Sequence, residues 1–75
     1  MTYDEILTQL KALEVAWQAQ YDYDVKMIWT PNLDGSGGIY LMDADYWQAI
    51  KEWRFDTPAE LETVLAAALA EVGAS

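Results

Sequence analysis

Tyr21-Asp22-Tyr23-Asp24-Val25-Lys26-Met27-Ile28-Trp29 is where the chain changes its period. Tyr21, Tyr23, Val25, Met27 and Trp29 alternate with Asp22, Asp24, Lys26 and Ile28. Strand side chains point alternately to two faces, so aromatic and β-branched residues at this spacing predict a strand. On the N-terminal side the period is helical. Tyr3, Ile6, Leu10, Leu13 and Trp17 recur at steps of three and four, which places one apolar stripe on a helix over roughly residues 3 to 20. Thr2-Tyr3-Asp4-Glu5 supplies its capping box, and the two acids in the first turn suit the helix dipole.

On the C-terminal side, Pro31 to Gly38 is a loop by composition, and Ile39 to Met42 is a short apolar run that reads as a second strand. Residues 46 to 56 fit two templates. As a strand, Trp47, Ala49, Lys51, Trp53 and Phe55 share a face; as a helix, Tyr46, Ile50 and Trp53 do. The aromatic content and the run into a helix start at Thr57 favour the strand. Thr57-Pro58-Ala59-Glu60 reads as a second capping box with proline at the first helical position. Leu61, Val64, Leu65, Ala68, Leu69 and Val72 then form a stripe, and Gly73 is the expected stop. The expected fold is α+β, in the order α-β-β-β-α. Two helices cover one face of a three-stranded antiparallel sheet, in one domain over residues 1–75. The uncovered face would carry Ile28, Ile50 and either Tyr40 or Leu41. Four Trp and five Tyr in so small a chain leave aromatic area exposed, which suits a contact surface.

Composition excludes several kinds of chemistry. With no Cys there is no disulfide framework and no thiolate metal site; with no His the commonest general base and zinc ligand are missing. Ser36 and Ser75 therefore have no base to activate them, and a nucleophilic triad is excluded. Gly35, Gly37 and Gly38 lack the G-K-[ST] of a phosphate loop. No run approaches the ~20 apolar residues of a membrane span. The N-terminus lacks the basic region of a signal peptide. No cofactor is expected, and the chain is not expected to be an enzyme.

One motif has metal-ligand spacing. Counted over twelve positions, Asn32 to Asp43 place Asn32, Asp34 and Ser36 at positions 1, 3 and 5, Gly37 at 6 and Asp43 at 12, the pattern of a calcium loop of the EF-hand type. It departs from that pattern in having Asn at position 1 and Asp rather than Glu at 12, and in Pro31 where an entering helix belongs. A Gly-rich hairpin connection is the competing reading. Asp22, Asp24, Asp43, Asp45 and Asp56 could gather at the sheet ends, but paired-carboxylate catalysis needs a cleft, which a sheet this small has little room to form.

What remains is charge. Thirteen Asp and Glu against four Lys and Arg give −9, a field that attracts basic partners and repels nucleic acid and other anions. Basic surfaces of this kind line the grooves of nucleic-acid-binding proteins. In its size, lack of cysteine, acidity and exposed aromatic surface, the chain resembles the small phage-encoded inhibitors of bacterial defence, the anti-CRISPR proteins among them, and Trp53-Arg54-Phe55-Asp56-Thr57-Pro58-Ala59-Glu60-Leu61, where a strand runs into a helix start, is similar to segments of small phage α+β proteins. The resemblance implies a non-enzymatic inhibitor that works in the cytoplasm of a bacterial host. Some members of that group mimic DNA against a CRISPR effector complex, and others block recruitment or conformational change. The expected partner is thus a basic protein surface on a nucleic-acid-binding protein or complex, with no direct contact to nucleic acid or membrane. Candidate contact residues are Asp22, Asp24, Asp43, Asp45 and Glu52, with Trp47 as the apolar anchor. Two other readings stand beside it: an assembly module that forms a homodimer through the aromatic sheet face, and a calcium-regulated protein using residues 32–43.

Overall fold

Thr2 Oγ1 accepts from the Glu5 N–H, and Glu5 Oε1 accepts from the Thr2 N–H, both at 3.2 Å. This reciprocal cap starts α1 (Tyr3–Gln18), and hydrogen bonding from Thr2, its backbone N–H first, holds the Glu5 carboxyl below the usual carboxylate range. In the computed structural model, which describes residues 1–74, the chain continues through β1 (Val25–Pro31), β2 (Gly37–Asp43) and β3 (Ala49–Phe55) to a single 3-10 turn (Pro58–Glu60) and α2 (Leu61–Ala74). The strands pair antiparallel in the order β1-β2-β3. The α-β-β-β-α order is as the sequence predicts.

Both helices lie on one face of the sheet. The stripe of α1 buries Ile6, Leu10, Leu13 and Trp17, and that of α2 buries Leu61, Leu65, Ala68 and Val72; Tyr3 and Leu69, expected in these stripes, lie at their margins and stay exposed. They close over Val25, Ile39, Leu41 and Phe55, with Ile39 and Leu41 of the central strand wholly out of water. The rim of this core is aromatic. Trp17 stacks at a tilt against Tyr21 and Trp53, with ring centroids 6.4 and 5.9 Å away, and the Lys51 ammonium lies 5.6 Å from the Trp17 ring. Lys51 also pairs with Glu71 of α2 at 3.3 Å, so its stem seals the edge of the core while its charge stays at the surface. No helix among the described residues is long and apolar enough to cross a membrane.

Several local expectations change. Residues 21–24 are not part of the first strand. Tyr21 and Tyr23 stack on each other at 5.3 Å and Tyr21 on Trp17, while Gln18 accepts from Val25 N–H and donates to the Tyr23 carbonyl. These contacts make 21–24 the corner between α1 and β1. Thr57 does not close a capping box: its hydroxyl bonds the Glu60 carboxylate instead of a backbone N–H, and the helix opens with a 3-10 turn. Gly73 does not stop α2, which runs on to Ala74. In β3, Leu41 faces Lys51 but Met42 faces Ala49, so Ile50 is an extra residue, a β-bulge. The bulge reverses the alternation. Lys51, Trp53 and Phe55 face the helices, Ile50 packs against the core rather than on the uncovered face, and Ala49 takes the outer position. On β2 it is Tyr40, not Leu41, that looks outward.

The β1–β2 hairpin turns on Gly35 at φ 91°, which follows the Asn32 carbonyl to Gly35 N–H bond of 3.1 Å. Gly37 answers to a close approach: a Cβ there would lie 2.3 Å from the Thr30 carbonyl oxygen and 3.0 Å from the Phe55 ring. Gly73, by contrast, has open space where a Cβ would go, inside a helix. Gly37→Ala should therefore lower stability by roughly 2 kcal/mol or more, because rigid backbone must move. Gly73→Ala should raise it by up to about 1 kcal/mol. Urea melts of the two variants check both signs.

Candidate partner-binding surface

Asp43 organises the β2–β3 connection. Its Oδ1 accepts from the N–H groups of Asp45 and Tyr46 at 2.9 and 3.2 Å. Its carbonyl accepts from Trp47 N–H, and its own N–H donates to Gln48 O, both at 2.8 Å. This tight loop forces Trp47 into the left-handed region, φ 56°, the one non-glycine residue with positive φ among the described residues. A Cβ in that region crowds the following carbonyl, at a cost of roughly 1–2 kcal/mol. The side chain is 61% exposed, so burial of the indole does little to offset the strain. Tyr46 beside it is 76% exposed.

Trp47 leans over the uncovered sheet face, where it lines a shallow depression with Ile28, Thr30, Tyr40, Met42 and Ala49. Tyr40 lies along its own strand over Gly38, where a Cβ would stand 3.3 Å from the ring. The floor is thus flat and apolar, with Lys26, Glu52 and Arg54 exposed around it.

Four of the five predicted acids come together at one end of the sheet. Ala44 N–H donates to the Asp24 carbonyl at 2.9 Å, tying the 22–24 corner to the β2–β3 loop. Val25 faces Asp43 across the first pair of strands. Asp22, Asp24 and Asp45 are exposed and Asp43 half-exposed. The Tyr23 phenol among them is pushed above its ordinary value, first by desolvation and then by the charges of Tyr21, Asp43 and Asp22. Glu52 is not in this cluster; it faces Tyr40 in mid-strand. Trp47 stands where the acidic end meets the apolar floor. Met42 on this face and the exposed Tyr46 next to Trp47 were not singled out by the sequence. Their signal was the Asp43-Ala44-Asp45 step, which spells a side-chain-capped turn.

The calcium spacing is not realised. β2 is extended between Gly37 and Asp43, which puts Asp43 about 20 Å along the strand from the turn that holds Asn32 and Asp34. That turn closes on itself. Asp34 Oδ1 accepts from Ser36 Oγ at 2.6 Å and from Ser36 N–H at 3.0 Å, and Asn32 Nδ2 donates to Ser36 Oγ at 3.0 Å. The bonds from Ser36, the hydroxyl first, hold the Asp34 carboxyl below its usual value. Their contribution is present at neutral pH and disappears as pH falls through that lowered value. No three acidic side chains among the described residues are grouped to hold a metal ion. Millimolar calcium should leave the melting temperature unchanged, in wild type and in Asp34→Ala alike; a rise confined to wild type would restore the metal reading.

Strain at Trp47 has its own signature. Trp47→Gly and Trp47→Ala both remove the ring, but only glycine accepts φ 56° freely. The Gly variant should be more stable than the Ala variant by about 1 kcal/mol, the reverse of their order in a helix, as thermal or urea unfolding would show. Compared with protein-family models, with curated proteins and with solved structures, the chain matches none.

Proposed function

We propose that this protein is a non-enzymatic inhibitor that binds a basic surface on a nucleic-acid-binding complex, such as a CRISPR effector, and keeps nucleic acid off it. The observation that carries the reading is the union of a strained, exposed Trp47 with four carboxylates at one end of an uncovered apolar face. Backbone strain around an exposed indole gives the isolated fold nothing in return, and such residues cluster at ligand contacts. Asp22, Asp24, Asp43 and Asp45 steer the approach to Lys- and Arg-rich ground, and Trp47 then buries in a pocket of the partner. The acids act in place of phosphates, while the indole adds a contact that DNA lacks. The uncovered face of Ile28, Tyr40 and Met42 also supports the second reading, an assembly module that dimerises through that face.

The test is competition with DNA on purified CRISPR effector complexes, followed by mobility shift and by surface-bound kinetics. Stoichiometric inhibitor should displace DNA from a susceptible complex. Trp47→Ala should weaken binding by ~2 kcal/mol, mostly through faster dissociation. Charge reversal at Asp22 and Asp24 together should slow association instead. The wild-type on-rate should fall steeply as the Debye length shrinks from about 30 to about 8 Å. Binding indifferent to salt over that range would sink the acidic mechanism and leave the apolar face as the contact.

A further inference from the structure

The two edges of the sheet are treated differently. On β1, the outward N–H groups of Val25 and Met27 donate to Gln18 Oε1 and Glu14 Oε1, at 3.0 and 2.9 Å. Further along the same edge stands Pro31, which has no N–H. Side chains of α1 and a proline thus mask most of that edge. Because the odd residues of β1 face outward, its even residues bond β2, and the odd residues of β2 bond β3. That alternation leaves the backbone groups of Glu52 and Arg54 on the outer edge of β3, with no partner among the described residues. Both side chains are exposed.

We infer that the β3 edge pairs with the β3 edge of a second copy of this chain, antiparallel and two-fold symmetric about Trp53. The regular stretch of β3 is Lys51 to Phe55, bounded by the bulge at Ile50, and Trp53 is its centre. A two-fold axis there sets Glu52 opposite Arg54 of the second copy, and Arg54 opposite its Glu52. Each pair is of the hydrogen-bonded type and exchanges two N–H···O bonds. It also unites opposite charges across the strands. The neighbouring registers that use these same outward groups set Glu52 against Glu52 or Arg54 against Arg54, which like-charge repulsion disfavours. The chosen register is therefore specified by charge as well as by length. It brings the two Trp53 side chains, each half-buried at the core rim, face to face on the helical side as a non-hydrogen-bonded pair. The axis is perpendicular to the sheet, so all helices stay on one side of a continuous six-stranded sheet. The interface touches the uncovered faces only at their Glu52–Arg54 margin and leaves Trp47 and the Asp22–Asp45 end free, so it goes beyond the proposed inhibitory contact without competing with it.

Sedimentation equilibrium from micromolar to millimolar protein tests this. Wild type should reach twice the 8.5 kDa chain mass. Glu52→Arg alone and Arg54→Glu alone should each weaken the dimer tenfold or more, since each sets like charges across the axis. The double swap should restore it, and an equimolar mixture of the two single variants should form a heterodimer. Far-UV circular dichroism checks that these exposed substitutions leave the fold intact. Salt should tighten the dimer, because each copy carries −9, whereas it weakens the inhibitory contact. A wild-type monomer at millimolar concentration would overturn the inference. So would a dimer that ignores both reversals. If that dimer fails with Trp47→Ala, the interface is the uncovered face instead.

Discussion

Ile39 and Leu41, alternate residues on the strand that has neighbours on both sides, are the contact on which the fold depends. A chain this short has one core, and these two side chains are its floor. The stripes of α1 and α2 meet above them, Trp29 and Trp53 flank Ile39 in register, and the edge strands follow because β2 needs partners on both sides. Covering this floor takes both helices. Among the described residues no element remains for the opposite face, so its exposure follows from how the core is built.

The same constraint explains how apolar bulk and charge are distributed. Two aromatic groups lie outside this floor, the rim around Trp17 and the outer face around Tyr40 and Trp47. Among the described residues the ion pair is Lys51–Glu71, which sits at the core rim rather than among the carboxylates at the far end of the sheet. Exposed acids gathered at one end of the sheet set up a negative field there that favours the approach of a cation or a basic surface. Two indole N–H groups, of Trp17 and Trp29, are buried without a hydrogen-bond partner among the described residues, a further penalty of about 1–3 kcal/mol each that dense packing must outweigh.

How much of this could be read from the residues depends on the range of the interaction involved. Both helical stripes and the cap at Thr2 are local, set within a turn or two, and they stand where periodicity places them except at the margins, where Tyr3 and Leu69 stay exposed. The strand around Trp53 was ambiguous only while tertiary context was missing; its pairing with Ile39 decides it. The bulge at Ile50 was invisible, because nothing in Gln48-Ala49-Ile50-Lys51 announces an extra residue until the register against Leu41 and Met42 is known. That one residue moved Ile50 and Ala49 between faces. The positive φ of Trp47 was also hidden, since the usual sign of that conformation is a glycine. That Asp22, Asp24, Asp43 and Asp45 could meet at a sheet end was legible from the strand order, but which of the acids do so needed the Asp24–Ala44 bond, twenty residues apart in sequence. The calcium spacing failed for the same reason in reverse: adjacency along the chain was lost once β2 became extended.

The masked edge of β1 limits how the molecule can grow. A sheet with two bare edges can recruit a copy on each side, each recruit offers a fresh edge, and the product is an open-ended ribbon. With Gln18 and Glu14 holding the Val25 and Met27 amides and Pro31 offering none, a strand that joins β3 leaves little of the β1 edge to extend from, which favours a closed, countable particle. The safeguard lasts only while α1 stays docked. If α1 lifts away, it uncovers its apolar stripe and the β1 donors together, and a finite assembly becomes one that can polymerise.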